Sequence, residues 1–307
     1  MLIPNNQYAD ESSWPVTPIF VVGSPRSGTS MIGYFISSSQ HVADFGEYTA
    51  FYLTHKVARS QYHAVISPYK DEYLEELDRH AAQFAYAKTR ELNLHYFADA
   101  TPWNLRIVDY LADKFPQAIF VLTLRHYSGV IQSLTRSYQE GRAWAGADMA
   151  ARARLWSEMY AHVAHLPEDR TVALSYDAMC REPTETLNAF LARLSAVGLP
   201  FDDFDRASFK NSYATTGKRP TIAAAEEGAG EGFVFRSIPS FDAVQWTDEI
   251  QRQVEEHVRE TDSLLGRKFP HHRRTPAGWL YGEAAPVVRQ EEQPLPSAGG
   301  EVMNIVS

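Results

Sequence analysis

The chain has 307 residues, 44% of them hydrophobic, and its 29 Lys and Arg against 38 Asp and Glu give a formal net charge of −9. This length supports one α/β domain of about 250 residues with loose ends. The acidic balance disfavours nonspecific binding to nucleic acids or anionic membranes, because both need a basic face. The single cysteine, Cys180, excludes an internal disulfide framework.

The two ends of the chain differ from its middle. Residues 1–15 are polar, and the chain beyond Tyr281 loses hydrophobic periodicity and gains Pro, Gly and Glu. We therefore expect a flexible arm over 1–15, a single domain over 16–281 and a flexible tail over 282–307. No run of about 18 apolar residues is present, and no charged segment is followed by an apolar one near the start. We expect no membrane span and a cytoplasmic location.

The first half of the chain predicts a strand, a glycine turn and several helices. Residues 19–22 (IFVV) form a β-branched and aromatic run that ends in a turn at Gly23, as a buried strand does. Residues 29–37 then place apolar residues at helical spacing. Residues 69–97 predict one or two amphipathic helices, and we interpret residues 52–96 as a helical insertion that covers a substrate.

The second half alternates helices with strands. The pattern predicts helices over residues 104–115, 127–138, 147–165 and 184–194, and strands over residues 118–124 and 171–175. The strand over 118–124 is apolar enough for the centre of a parallel sheet. This alternation predicts an α/β fold of three layers, in which helices flank a central parallel sheet joined by right-handed crossovers.

Residues 23–30 (GSPRSGTS) are built like a phosphate-binding loop. A glycine turn between a strand and a helix points successive backbone N–H groups at one anion, and the helix N-terminus adds positive potential. Thr29 stands where a nucleoside triphosphatase has its lysine, and Arg26 is the only cation of the loop. A P-loop kinase is an alternative function, and the absence of this lysine counts against it. The pattern therefore predicts a phosphate cradle made of Gly23, Gly28 and the hydroxyls of Ser27, Thr29 and Ser30.

This loop resembles that of the sulfotransferases that use 3′-phosphoadenosine 5′-phosphosulfate (PAPS), whose form is Gly-x-Pro-Arg/Lys-Ser-Gly-Thr-Thr/Ser. The resemblance implies a P-loop-like fold, PAPS as co-substrate, adenosine 3′,5′-bisphosphate as product and no metal. It also implies that Arg26 binds the phosphosulfate. The ligand contacts that it implies for the loop are Ser24, Pro25, Arg26, Ser27, Gly28, Thr29 and Ser30. The resemblance extends from about Ile19 to Phe201 and more weakly to Phe269, and it looks closer to the bacterial and tyrosylprotein-type branch than to the cytosolic aryl type.

Two further stretches resemble motifs of the same family. Arg125 ends the strand over 118–124, and Ser133 follows eight residues later (133 − 125 = 8), as in the family's 3′-phosphate motif. The resemblance implies that both side chains contact the 3′-phosphate. Residues 174–179 (LSYDAM) resemble the segment whose tyrosine lies near the adenine, which implies an adenine contact for Tyr176.

Sulfuryl transfer needs a base for the acceptor hydroxyl and stabilisation of the charge that develops. Glu47 lies where tyrosylprotein-type relatives carry a catalytic glutamate, so it is the predicted base. His41 is the competing base, because many aryl-type relatives use a histidine. Asp99 is a second carboxylate that could polarise the acceptor and pair with Glu47. Arg26 is the residue predicted to stabilise the negative charge on the transferred group and the leaving phosphate.

One position departs from the family. Many relatives carry a lysine that assists the leaving phosphate, and this chain has Ala100 there. Arg26 alone can take over, or Lys218 and Arg219 can do so from a late loop over the nucleotide. Because Ala100 replaces the lysine, a further alternative is a noncatalytic domain that binds nucleotide without turning it over.

The sequence does not identify the acceptor. A carbohydrate, a lipid, a natural product or a tyrosine hydroxyl all fit, since the insertion, the loop over 223–239, Trp103 and Trp144 suit each of them. We expect a small-molecule or glycan acceptor and no nucleic-acid partner, and the sequence leaves the oligomeric state undecided.

Overall fold

The computed structural model describes residues 16–58, 69–206, 246–270, 272–275 and 278–281, and its centre is a parallel β-sheet. Five strands lie in the order β2-β3-β1-β4-β5, and every neighbouring pair is parallel. They are β1 (Thr17–Gly23), β2 (Val42–Asp44), β3 (Tyr96–Asp99), β4 (Ile119–Leu124) and β5 (Thr171–Ser175). A separate antiparallel pair joins β6 (His272–Thr275) to β7 (Gly278–Tyr281).

Strands β1 and β4 are adjacent and nearly all of their residues are buried. Apolar side chains on both faces are what a parallel strand needs when helices cover the sheet on both sides. Their register pairs Ile19 with Ile119 and Gly23 with Thr123. The carboxyl ends of both strands therefore reach the same edge of the sheet, so the segments that follow them emerge side by side.

The helices lie between the strands in chain order. They are α1 (Thr29–Ser37), α2 (Ala50–Ala58), α3 (Lys70–Glu91), α4 (Val108–Lys114), α5 (Tyr127–Gln139), α6 (Met149–Ala161), α7 (Tyr176–Arg181), α8 (Pro183–Ala196) and α9 (Asp248–Lys268). Shorter 3₁₀ turns cover Pro102–Ile107, Ala143–Ala145, His162–His165 and Glu168–Arg170. Side-chain oxygens cap several helices; Asp148 Oδ1, for example, accepts the Ala151 N–H at 2.7 Å.

Two apolar clusters, one on each face of the sheet, complete the three layers. Because side chains alternate along a strand, Phe20 and Val22 of β1 belong to one cluster while Ile19 and Val21 belong to the other. The first cluster includes Trp156 of α6 and the second includes residues of α1 and α8. The predicted three-layer α/β fold is confirmed.

Some predicted boundaries were wrong, and two elements, β2 and α9, were not predicted at all. Helix α3 ends at Glu91, and residues 96–99 form β3, although the spacing predicts helix as far as residue 97. Strand β2 has three residues, too few for a periodic pattern. Helix α9 has no counterpart among the predicted elements. Each of the predicted helices over 104–115 and 147–165 consists of an α-helix and a 3₁₀ turn.

Several predictions concern residues outside the described ranges: the arm over 1–15, the tail over 282–307, the loop over 223–239, Lys218 and Arg219. Within the part of the chain that the structure describes, no helix has the length and apolarity needed to cross a membrane.

Candidate active site

The loop between β1 and α1 turns on two residues with positive φ. Gly28 caps the N-terminus of α1 at φ 101°, and Arg26 has φ 72°. A Cβ on Gly28 would lie 2.7 Å from Cδ2 of Tyr176, so the ring of that tyrosine packs directly on the loop. Both the backbone angle and the close ring require glycine at this position.

The hydroxyl side chains of the loop divide into two groups. Ser24 and Ser27 are buried, and the Ser27 hydroxyl lies 2.7 Å from Thr123 Oγ1 of β4, so it ties the loop to the sheet. Thr29 and Ser30 line a cavity beside the loop, as do Pro25, Arg26 and Gly28. Five of the seven predicted loop contacts therefore face the cavity, and Ser24 and Ser27 support the loop from behind.

Arg125 joins the loop to the segment that follows β4. Its guanidinium Nη1 donates a 2.8 Å hydrogen bond to the Arg26 carbonyl oxygen. Its guanidinium carbon lies 4.2 Å from the centre of the Tyr176 ring, a cation–π contact. Arg26 Nε in turn donates to Ser133 Oγ at 2.9 Å. The structure thus brings together four residues that the sequence proposed from three separate stretches.

Tyr176 lies between the loop and Arg125. It is 9% exposed, and burial raises the pKa of its hydroxyl, an effect that Arg125 partly offsets. The neutral ring packs against Gly28 on one side and contacts the Arg125 guanidinium. It also lines the cavity, where a flat heterocycle would find an aromatic neighbour.

The cavity at this edge of the sheet has a volume of about 460 Å³, which lies within the range of about 300–1,000 Å³ usual for ligand sites. Its described lining residues are Pro25, Arg26, Gly28, Thr29, Ser30, Met31, Glu47, Pro102, Trp103, Arg125, Gly129, Gln132, Ser133, Arg136, Arg142, Trp144 and Tyr176. Four of these are arginines and one is a carboxylate. Such an excess of positive charge, in a chain of net charge −9, suits an anionic ligand.

The arginines repel one another. Burial lowers the pKa of Arg26, and the positive charges of Arg142 and Arg125 lower it further, while Glu140 opposes them. Crowded guanidinium groups of this kind are stabilised when an anion binds among them.

Glu47 also lines the cavity. Ser30 Oγ donates a long 3.4 Å hydrogen bond to Glu47 Oε1. The backbone on either side of Glu47 is held: the Ala100 N–H donates to Gly46 O at 2.7 Å, and the Tyr48 N–H donates to Asp99 Oδ1 at 3.1 Å. The side chain itself is exposed, so a substrate hydroxyl has access to the carboxylate.

Asp99 lies under this segment instead of in the cavity lining. It is fully buried, and its carboxylate accepts hydrogen bonds from the N–H groups of Tyr48 and Thr101 and from Asn104 Nδ2. Burial raises the pKa of Asp99 to about 7, against those three hydrogen bonds. The structure does not place it beside Glu47 in the cavity, so we assign it to holding the backbone.

His41 does not line the cavity either. It is exposed, and its ring stacks on Phe201 with 4.8 Å between the ring centres. His126, next to Arg125, caps α5: its Nδ1 accepts the Ser128 N–H at 3.3 Å. Glu47 is therefore the one of the two predicted bases that the structure brings to the cavity.

Ala100 lines a second cavity of about 260 Å³. Ser30 and Glu47 line both this cavity and the first one. The Ala100 Cβ faces Gly33 of α1, where an added Cβ would lie only 2.5 Å away. Helix α1 thus packs closely over this position.

The sequence interpretation missed three polar residues of the larger cavity: Gln132, Arg136 and Arg142. Gln132 and Arg136 belong with Gly129 and Ser133 to one face of α5, at spacing i, i+3, i+4 and i+7, and that spacing from Ser133 was a usable signal. Arg142 follows the helix and no periodicity marks it.

Trp103 and Trp144 meet at the rim of the cavity. Their rings are T-shaped, with centres 6.0 Å apart, and Tyr52 of α2 stacks on Trp103 at 6.0 Å. Among the described residues of the predicted insertion, none lines this cavity; Tyr52 reaches it through Trp103.

A model of the sulfotransferase family matches residues 18–203, more than half of the chain. Among solved structures, the sulfotransferase domain from the curacin biosynthetic pathway is similar in fold, with a TM-score of 0.53, 12% identity, and coverage of 81% of this chain and 99% of that domain. The sulfotransferase domain from the Synechococcus PCC 7002 olefin synthase gives a TM-score of 0.46 at 15% identity and covers 81% and 98%. The sulfotransferase STF9 from Mycobacterium avium gives 0.40 at 15% identity and covers 81% and 77%. No curated protein matches the chain.

Proposed function

The chain belongs to the sulfotransferase family, and from that premise we propose that it transfers the sulfuryl group of PAPS to the hydroxyl of a small-molecule or glycan acceptor. One observation carries this proposal. Two separate motifs, the loop after β1 and the segment after β4, meet through the Arg26–Ser133 hydrogen bond and the Arg125–Arg26 hydrogen bond, both beside the cavity.

The charges of the cavity support an adenosine 3′,5′-bisphosphate core as the ligand. The loop N–H groups and the N-terminus of α1 suit the 5′-phosphosulfate, with Arg26 as the nearest cation. Arg125 and Ser133 suit the 3′-phosphate, and the ring of Tyr176 suits the adenine. We propose that this site belongs to a single domain over residues 16–281.

We assign the role of base to Glu47. In the reaction, the acceptor O–H proton moves to a Glu47 carboxylate oxygen, the acceptor oxygen bonds to sulfur, and the bond between sulfur and the 5′-phosphate oxygen breaks. The products are a sulfate ester and adenosine 3′,5′-bisphosphate. The exposed Glu47 carboxylate and its hydrogen bond from Ser30 support this assignment.

The acceptor meets the aromatic rim at Trp103 and Trp144. A right-angled pair of indole rings beside polar side chains accommodates a ring-shaped acceptor, because one ring face stacks on an apolar surface while hydroxyls reach hydrogen-bonding groups. We therefore propose a ring-bearing alcohol, either a sugar or a cyclic natural product, in preference to a lipid chain.

The proposal is tested by calorimetric titration of adenosine 3′,5′-bisphosphate into the purified chain and into the variant Arg125→Ala. The wild type should bind at micromolar concentration, and the variant should lose about 1.5–3 kcal/mol of binding free energy, because a hydrogen-bonded charge is removed. The matched control is Arg154→Ala, an exposed arginine of α6 outside the cavity lining, which should bind as the wild type does.

Transfer itself is measured with radiolabelled PAPS and a panel of sugars and phenolic or alicyclic alcohols. Absence of bisphosphate binding by the wild type would reject the function. Magnesium-dependent turnover of ATP in its place would identify a kinase. Tight bisphosphate binding without transfer to any acceptor in the panel would favour a nucleotide-binding domain without turnover.

A further inference from the structure

One face of α5 forms a wall of the larger cavity. Gly129, Gln132, Ser133 and Arg136 all line it from this face. Ser133 lies between Gly129 and Arg136 in this row, which spans about 10 Å of helix at 1.5 Å per residue. Arg26, from the loop after β1, donates a hydrogen bond to the Ser133 hydroxyl. An anion bound at Ser133 would therefore lie near guanidinium groups from two elements, the loop after β1 and α5.

The turn that ends α5 brings a third arginine to the same place. Gly141 has φ 87°, the left-handed conformation that reverses the chain after a helix. The Arg142 N–H then donates to the carbonyl oxygen of Ser137 at 3.1 Å, and its guanidinium Nη1 lies 3.5 Å from Ser137 Oγ. Since Ser137 follows Ser133 by one helical turn, Arg142 is folded back along α5 toward the cavity that it lines.

The charges around Ser133 are unevenly balanced. Arg142 is the first of the two positive charges that lower the pKa of Arg26, after burial itself. Among the residues that the structure describes, Arg142 forms an ion pair with Glu140, at 3.3 Å. Both side chains of this pair are about half exposed, 46% for Arg142 and 52% for Glu140. An exposed pair of this kind is weak, so a bound phosphate can compete with Glu140 for Arg142.

We propose that Arg142 is the specificity residue for the 3′-phosphate: together with Arg125 and Ser133 it selects nucleotides that carry this group over those that do not. The inference rests on the proposed function and adds a binding residue that lies outside both sequence motifs. The 3′-phosphate fits this place because it is a compact dianion whose oxygens can accept from the Ser133 hydroxyl and from two guanidinium forks at once.

The test compares two nucleotides that differ only in that phosphate, adenosine 3′,5′-bisphosphate and adenosine 5′-monophosphate, by calorimetric titration. For Arg142→Ala, the affinity for the bisphosphate should fall about five- to tenfold, while the affinity for the monophosphate should stay within about twofold. Arg142→Lys should lose less, because it keeps the charge but not the fork. Glu140→Gln should bind the bisphosphate about twofold more tightly, because the competing carboxylate is gone.

Arg154→Ala is the matched control, and thermal unfolding of each free variant checks that the fold is retained. An Arg142→Ala variant that retains the wild-type ratio of the two affinities would overturn the inference and leave the proposed function standing. A wild type that binds neither nucleotide would overturn both.

Discussion

At the scale of single residues, Gly28 shows why the loop sequence tolerates little change. We expect Gly28→Ala to lower the free energy of unfolding by about 2–4 kcal/mol, because the methyl group adds backbone strain and contacts the Tyr176 ring at 2.7 Å. Urea unfolding measures the loss. Gly141→Ala is the matched control: it has a similar φ of 87° but nothing within 4 Å of its Cβ, so only the strain of about 1 kcal/mol applies. Equal losses would mean that the ring contact is irrelevant.

Glu47 gives the sharpest chemical prediction at this scale. Glu47→Gln keeps the shape of the side chain but removes the base, so kcat should fall by about 10²–10⁴ while bisphosphate affinity changes little. The measurement is sulfuryl transfer at saturating PAPS. Glu75→Gln, an exposed carboxylate of α3, is the control and should leave kcat unchanged. Unchanged transfer by Glu47→Gln would remove Glu47 from the role of base without altering the class of enzyme.

At the scale of elements, the end of β3 holds the segment between β2 and α2. Asp99 accepts the Tyr48 N–H and the adjacent Ala100 N–H donates to Gly46 O, so the backbone is fixed on both sides of Glu47. The sequence predicted that Asp99 would lie near Glu47 and the acceptor. It did not show that burial would direct both oxygens to backbone and amide donors, because that depends on how β2 and β3 pair.

The raised pKa of Asp99 predicts a pH dependence of stability. Its usual pKa is 3.8 and its folded value is about 7, so between these values the folded chain holds a proton that the unfolded chain has released. The contribution of Asp99 to the free energy of unfolding is therefore full below pH 4 and falls as the pH rises to 7, by up to about 1.4 kcal/mol per pH unit.

This pH dependence is measured by urea unfolding of the wild type and of Asp99→Asn between pH 4 and 8. The stability advantage of the wild type over the variant should shrink as the pH rises through this window, since asparagine does not titrate. The exposed Asp109→Asn serves as the control. Parallel curves for the wild type and Asp99→Asn would show that Asp99 does not hold the proton.

Of the three strands that the sequence predicted, β1 and β4 lie inside the sheet and β5 lies at its edge. β4 is a long apolar run because helices cover both of its faces, and the same holds for β1. β2 and β3, with three and four residues, are too short to show a period and follow a helix closely in the chain. Their strand conformation comes from pairing in the sheet, which local spacing does not encode.

At the scale of the whole molecule, an acidic chain carries a cationic cavity. The chain has a net charge of −9, but four arginines line the cavity. A bisphosphate should therefore be held by electrostatic attraction to these nearby arginines, and added salt should screen this attraction. We expect its affinity to fall about tenfold between 50 and 500 mM NaCl, measured by calorimetry. Adenosine, which is uncharged, is the control and should change by less than about twofold. Equal salt effects on both ligands would argue against an electrostatic cavity.

Ala100, the position at which the sequence departs from the family pattern, lines the smaller cavity together with Gly33. Gly33 packs against Ala100 closely enough that a Cβ on Gly33 would lie 2.5 Å from the Ala100 Cβ. Arg136 and Arg142 supply positive charge to the larger cavity from α5 and the turn after it. The cations of the site thus come from elements that are distant in sequence from Ala100.

The sequence by itself determined the α/β class, the family, and the residues of the loop after β1 and of the segment after β4. These features are local: a strand that ends in a glycine turn, and an arginine and a serine eight residues apart. Only the tertiary structure decided that Arg142 lines the same cavity as Arg26 and Ser133, that Glu47 and not His41 reaches this cavity, and that Asp99 is buried beside the backbone of the Glu47 segment. The physical reason is that pairing of strands and reversal of the chain bring distant residues together, and neither leaves a pattern in the spacing of neighbouring residues.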